Sequence, residues 1–162
     1  AEMIANVEPT DLPDTPFFRS AYHRSTLREI CALREGLLGL ENETDASSIL
    51  RAAALGCLHG PLPKHVENAG YFSNQMPRTY ASKPDYAVRF WKERDLKAPK
   101  INVLQVLRRK IERLAGLDQV SPCPISHVLH GDAQSEELYQ SISNAPSVVI
   151  TSPPYYGTRT YV

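Results

Sequence analysis

In the helical stretches between residues 24 and 115 the apolar stripes return every three or four positions, and a consecutive β-branched apolar run, Val148-Val149-Ile150, appears only near the end of the sequence. A period near 3.6 commits a segment to helix, whereas a short β-branched run bounded by turn residues commits it to a strand. The order therefore predicts helices first and an αβ unit last. In "HRSTLREICALREGLLGL" Leu27, Ile30, Cys31, Leu37 and Leu38 fall largely on one helical face, and Thr26 with Glu29 has the spacing of a capping box. After the polar break "ENETD", Asp45 can cap "ASSILRAAALGCLH", which Gly60-Pro61 stops.

Residues 60–83 are the longest irregular stretch, and loops of this length are usually functional or disordered. Tyr71, Phe72, Arg78, Tyr80 and Lys83 interleave there, which argues against disorder. Ser82 and Pro84 then open "PDYAVRFWKERDL", with Tyr86 and Phe90, and Ala87 and Trp91, paired at i,i+4. A fourth helix near 102–115 carries Ile101, Leu104, Leu107, Ile111 and Leu114 on one side and ends at Gly116. Beyond it, "ISHVLHGDA" and "PSVVITS" read as buried strands flanking the short helix "SEELYQSIS". The expected domains are an extended lead-in at 1–16, a helical region at 17–118 and a partial αβ unit at 119–162.

Charge narrows the partners. The formal net charge is zero, yet residues 1–50 carry a net of −5 and residues 78–113 a net of +7. Such asymmetry suggests an acidic flank and a basic face able to meet phosphates, or else a solvated helix surface. Three widely spaced cysteines, Cys31, Cys57 and Cys123, fit neither a disulfide framework nor a paired-thiol zinc site. Reduced thiols point to a cytoplasmic protein. His59, His65 and His130 match no metal-ligand spacing, so no metal is expected. No apolar run approaches the ~20 residues of a membrane helix, and "AEMIANVEPTDLPDTP" lacks the basic flank and apolar core of a signal peptide.

The chemistry is concentrated where the two expected strands end. His130-Gly131-Asp132 follows the first, and Ser152-Pro153-Pro154-Tyr155 follows the second. In open α/β sheets ligands bind beyond the carboxyl ends of strands. With these residues, "HGDAQSEELYQSISNAPSVVITSPPYYGTRTYV" resembles the amino-methylating DNA methyltransferases, whose catalytic signature is (Asp/Asn/Ser)-Pro-Pro-(Tyr/Phe/Trp). The stretch "LRAAALGCLHG…YFSNQMPRTYASKPDYAVRFWKERDL" is similar to the helical region that precedes the signature in one branch of site-specific DNA methylases, of the kind found in restriction–modification.

The resemblance implies an α/β fold: a helix-rich N-terminal part followed by the start of an incomplete Rossmann-type methyltransferase sheet. It implies transfer of a methyl group from S-adenosylmethionine to the exocyclic amine of cytosine (N4) or adenine (N6). Such an amine is a poor nucleophile because its lone pair is drawn into the base ring. Ser152 Oγ and the Pro153 carbonyl would accept its two N–H bonds, Pro153 and Pro154 would hold those acceptors rigid, and Tyr155 would stack on a base flipped from double-stranded DNA. By the same resemblance Asp132, with Gly131 and Thr151, would hold the cofactor. Asp132 has an alternative role as a cap for the helix that follows. Arg78, Lys83, Arg89, Arg108, Arg109 and Lys110 are the candidate DNA contacts. Ser at the first motif position leans toward cytosine N4, where Asp leans toward adenine N6.

One departure from the family pattern matters. Its Phe-x-Gly-x-Gly-like loop is missing, since no two of the eight glycines are separated by one residue. The expectation is an internal piece of a larger enzyme, whose remaining segments complete the cofactor pocket. The alternative is a non-catalytic helical DNA-binding or assembly module carrying a vestigial Ser-Pro-Pro-Tyr loop.

Overall fold

A computed structural model describes residues 7–77, 84–116, 129–132, 134–140, 142, 148 and 150. The chain divides into two compact units, Ala1–Leu117 and Asp118–Val162. The first contains α1 (Pro16–Ala21), α2 (Arg24–Leu38), α3 (Asp45–Leu55), α4 (Pro84–Glu93) and α5 (Val103–Ala115). The second contains α6 (Glu136–Tyr139). Within the first unit α1 packs on α4, and α5 packs across α2 and α3.

The expected Rossmann-type sheet is overturned: 53% of the described residues are helical and none is in a strand. Val148 and Ile150, taken from sequence as parts of a buried strand, are 74% and 94% exposed. A β-branched run reports a preference for a pleated, half-buried surface and forms a strand only against pairing partners. Among the described residues no such surface covers Val148 and Ile150, and the rest of both expected strands apart from Leu129 and His130 lies outside the described residues.

The helices begin and end on identifiable signals. His23 caps α2, its Nδ1 accepting from the Ser25 N–H at 3.3 Å. Thr44, rather than Asp45, caps α3 in a capping box with Ser47, and Gly56 ends that helix four residues before Gly60-Pro61. The Thr26–Glu29 pair lies inside α2 and acts at long range. The fully buried Thr26 hydroxyl accepts from the Ile101 N–H and donates to the Ile101 carbonyl, both at 2.9 Å. Glu29 Oε2 accepts from the Val103 N–H at 2.9 Å, satisfying one orphan donor at the start of α5. A pattern that reads as a local cap is thus a clasp between α2 and α5.

Irregular backbone supplies part of the core. Phe72, Ser73 and Asn74 are at most 1% exposed, as is Trp91. The Asn74 amide donates to the Ser20 and Leu96 carbonyls, each at 3.1 Å, joining the end of α1 to the turn after α4. Trp91 Nε1 donates to the Gln75 carbonyl at 2.5 Å, and the Phe17 ring centroid lies 5.7 Å from that of Trp91. The lead-in is also held: Glu35 accepts from the Thr10 backbone N–H and hydroxyl, and Glu8 pairs with Arg28.

Two backbone positions are testable by substitution. A Cβ on Gly60 would lie 2.3 Å from Tyr71 Cγ, against the base of the ring rather than a flexible tip. Overpacking of this kind costs about 1–3 kcal/mol, so Gly60→Ala is expected to lower the urea midpoint accordingly. Asp95 has φ 46°, in the left-handed region. There the Leu96 N–H returns to the Trp91 carbonyl at 2.9 Å and closes α4 in a Schellman arrangement. Glycine reaches that conformation without the Cβ penalty, so Asp95→Gly should raise stability by about 0.5–1 kcal/mol in thermal unfolding.

Candidate nucleic-acid interface

α4 opens with Pro84 at its first position, where a missing N–H costs nothing. Ala87 and Trp91 face inward, which leaves Asp85, Arg89, Lys92 and Glu93 exposed. Arg89 and Lys92 line a groove of about 620 Å³ between α4 and α1, whose apolar wall includes Pro16, Phe17, Phe18 and Val88. Asp85 and Glu93 line it too, so its charge is balanced. The sequence expectation omits Lys92. Its i,i+3 spacing from Arg89 is the signal that finds it.

α5 starts where the Asn102 side chain accepts from the Gln105 N–H at 2.9 Å. It buries Val103, Val106 and Leu107, so its remaining faces carry the cations. Arg108 is exposed, while Arg109 and Lys110 are half-buried along their stems. None of the three pairs with a carboxylate among the described residues. Lys110 and Arg113 act electrostatically on the Cys57 thiol of the α3–α5 contact, easing an upward pKa shift that burial dominates. Arg89 sits on the helix that packs on α1, and Arg108, Arg109 and Lys110 sit on the helix that packs on α2 and α3. Arg78 and Lys83 lie outside the described residues.

An aromatic cluster adjoins α1. The Tyr22 hydroxyl donates to the Leu58 carbonyl at 3.2 Å and lies 3.4 Å from His59 Nδ1. Burial pushes the Tyr22 phenol well above its ordinary pKa. Contact with Phe17 and Tyr22 desolvates one side of His59 and holds its pKa below the usual imidazole value.

In the second unit Asp132 Oδ1 accepts from the Gln134 backbone N–H at 2.9 Å, and its carbonyl accepts from the Ser135 N–H at 2.9 Å. This turn leads into α6, whose cap residue is Ser135. One carboxylate oxygen is therefore committed to local structure, and the other has no partner among the described residues. A Cβ on Gly131 would stand 2.9 Å from Leu138 Cδ1. Both Gly131 and Asp132 are exposed. Thr151, Ser152, Pro153, Pro154 and Tyr155 lie outside the described residues.

Among the described residues no three His, Cys, Asp or Glu side chains converge as a metal site. No described helix is long and apolar enough to cross a membrane. No known protein family, curated protein or solved structure matches the chain.

Proposed function

We propose that this chain is part of an S-adenosylmethionine-dependent DNA amino-methyltransferase, with Ser152-Pro153-Pro154-Tyr155 as its catalytic loop. The tetrapeptide, placed after "SVVIT" and twenty residues beyond Asp132, carries the reading. Ser152 Oγ and the Pro153 carbonyl accept the two N–H bonds of the target amine. With both hydrogens held, the nitrogen lone pair is drawn out of conjugation and becomes nucleophilic. The fixed φ of Pro153 and Pro154 keeps the acceptors in place, and Tyr155 stacks on the extruded base. Bound S-adenosylmethionine supplies an electrophilic methyl group.

A cofactor-holding role for Asp132 is supported by its exposed carboxylate, of which one oxygen has no partner among the described residues and can accept from a hydroxyl or amine. Gly131 and Thr151 are the companions proposed for it. Cytosine N4 is the proposed target, since a neutral serine acceptor stands where the N6-adenine pattern favours Asp. No thiol takes part, which leaves the buried Cys31 and Cys57 as packing residues.

A second reading is favoured by one observation. The helical unit, Ala1–Leu117, is compact without any strand among its described residues, as a non-catalytic DNA-binding or assembly module would be. Incubating duplex DNA with the complete enzyme and methyl-labelled S-adenosylmethionine separates the two. Label in the DNA is expected; DNA binding without label would favour the module.

A further inference from the structure

We propose that the groove formed by the end of α1, the start of α2 and the turn after α4 docks the phosphate backbone of duplex DNA. The groove measures about 430 Å³, and Arg19, Arg24, Lys92 and Lys97 line it against a single carboxylate, Asp95. Arg24, Lys92 and Lys97 have no hydrogen-bond or ion-pair partner among the described residues. Arg19 meets only the exposed Asp14 at 3.4 Å, a pair of the kind that contributes little. Elsewhere in this unit Arg28, Arg51 and Arg94 are paired with Glu8, Glu43 and Glu93. Other cations, Arg108 and Lys110 among them, also lack a carboxylate partner among the described residues; these four differ in sharing one concave surface with a single carboxylate, where low-dielectric walls focus the field on an anionic partner.

The walls are braced. Buried Trp91 and Tyr22 line the groove. The Asn74 amide clamps the carbonyls of Ser20 and Leu96, one from each wall. The clamp fixes the backbone of the two walls, so that part of the ordering cost of binding is already met. The four cations come from α1, α2, α4 and the segment after α4, an arrangement suited to successive phosphates along a strand rather than to one small anion. The choice of DNA among polyanions rests on the methyltransferase reading above.

The experiment is fluorescence anisotropy of a ~20-base-pair duplex with the 162-residue chain across a salt series. Four phosphate contacts predict a slope of log K against log salt near ~−3.6, and a loss on the order of 10²-fold between ~50 and ~200 mM salt. The double variant Arg24→Gln, Lys97→Gln should flatten the slope by about 1.8, with circular dichroism unchanged. Arg34→Gln, Lys64→Gln, at two exposed cations outside the groove, should leave the slope in place. An unflattened slope in the groove variant would overturn the proposal, as would absence of duplex binding at ~50 mM salt or capture by phosphatidylserine vesicles instead. Methyl transfer by the complete enzyme reads the other proposal separately. Transfer with groove-independent binding removes the groove alone. Groove-dependent binding without transfer removes the methyltransferase reading alone.

Discussion

Replacing Trp91 with alanine is expected to destabilise the helical unit by about 3–5 kcal/mol. Trp91 is 1% exposed and is the largest of the fully buried side chains. Its removal leaves a cavity between α4 and α1, where the Phe17 ring now stands 5.7 Å away. It also strips the Gln75 carbonyl of its Nε1–H donor. Domains of this size are stable by only about 5–15 kcal/mol, so the variant should be partly unfolded at modest urea. Trp91→Phe keeps most of the ring volume and loses the hydrogen bond, so it should cost about 1–3 kcal/mol. Urea titration followed by circular dichroism measures both. A Trp91→Ala midpoint equal to that of the native chain would contradict the packing described for α4.

The second large effect concerns rate rather than stability. In the complete enzyme Ser152→Ala removes one of the two acceptors proposed to hold the target amine. Losing a preorganised hydrogen-bonding group of this sort costs on the order of 10²–10³ in kcat. Because the acceptor strengthens as the amine pyramidalises, kcat should fall more than KM rises. Unchanged circular dichroism with that loss would assign the effect to chemistry. Full retained activity would take Ser152 out of the mechanism.

The helices of the first unit were legible because their apolar stripes keep one period. Leu27, Cys31 and Leu37 mark α2, Ala87 and Trp91 mark α4, and Val103, Val106 and Leu107 mark α5. α1 lacks a helical signature in the sequence, because Pro9, Pro13 and Pro16 together read as extended chain. Pro16 in fact opens the helix, at a position where proline is tolerated. The Thr26–Glu29 spacing was legible and its use was not. Its partners, Ile101 and Val103, lie more than seventy residues away, beyond the reach of a local pattern. The burial of Phe72 and Asn74 was invisible for another reason, since irregular backbone has no period to betray which side faces the core. No described residue is in a strand, since apolar, β-branched composition states a preference that only a pairing partner realises. At Val148 and Ile150 that preference is unmet.

The candidate DNA surface shows the same division. Clustering of positive charge over residues 78–113 is plain in the sequence. Which of those cations share a concave wall depends on α1 and on the Asn74 clamp, and neither has a sequence signature. Arg19 and Arg24 lie outside the basic segment, and only the packing brings them to Lys92 and Lys97.

Mass spectrometry of nucleosides, taken from duplex DNA after reaction with the complete enzyme and S-adenosylmethionine, tests the central claim most directly. The account predicts a methyl group on an exocyclic amine, as N4-methylcytosine, absent from the Ser152→Ala reaction. N6-methyladenine in its place would change the base and keep the chemistry. Methylation at cytosine C5, which needs a covalent thiol adduct, or no methylated nucleoside at all, would contradict the account.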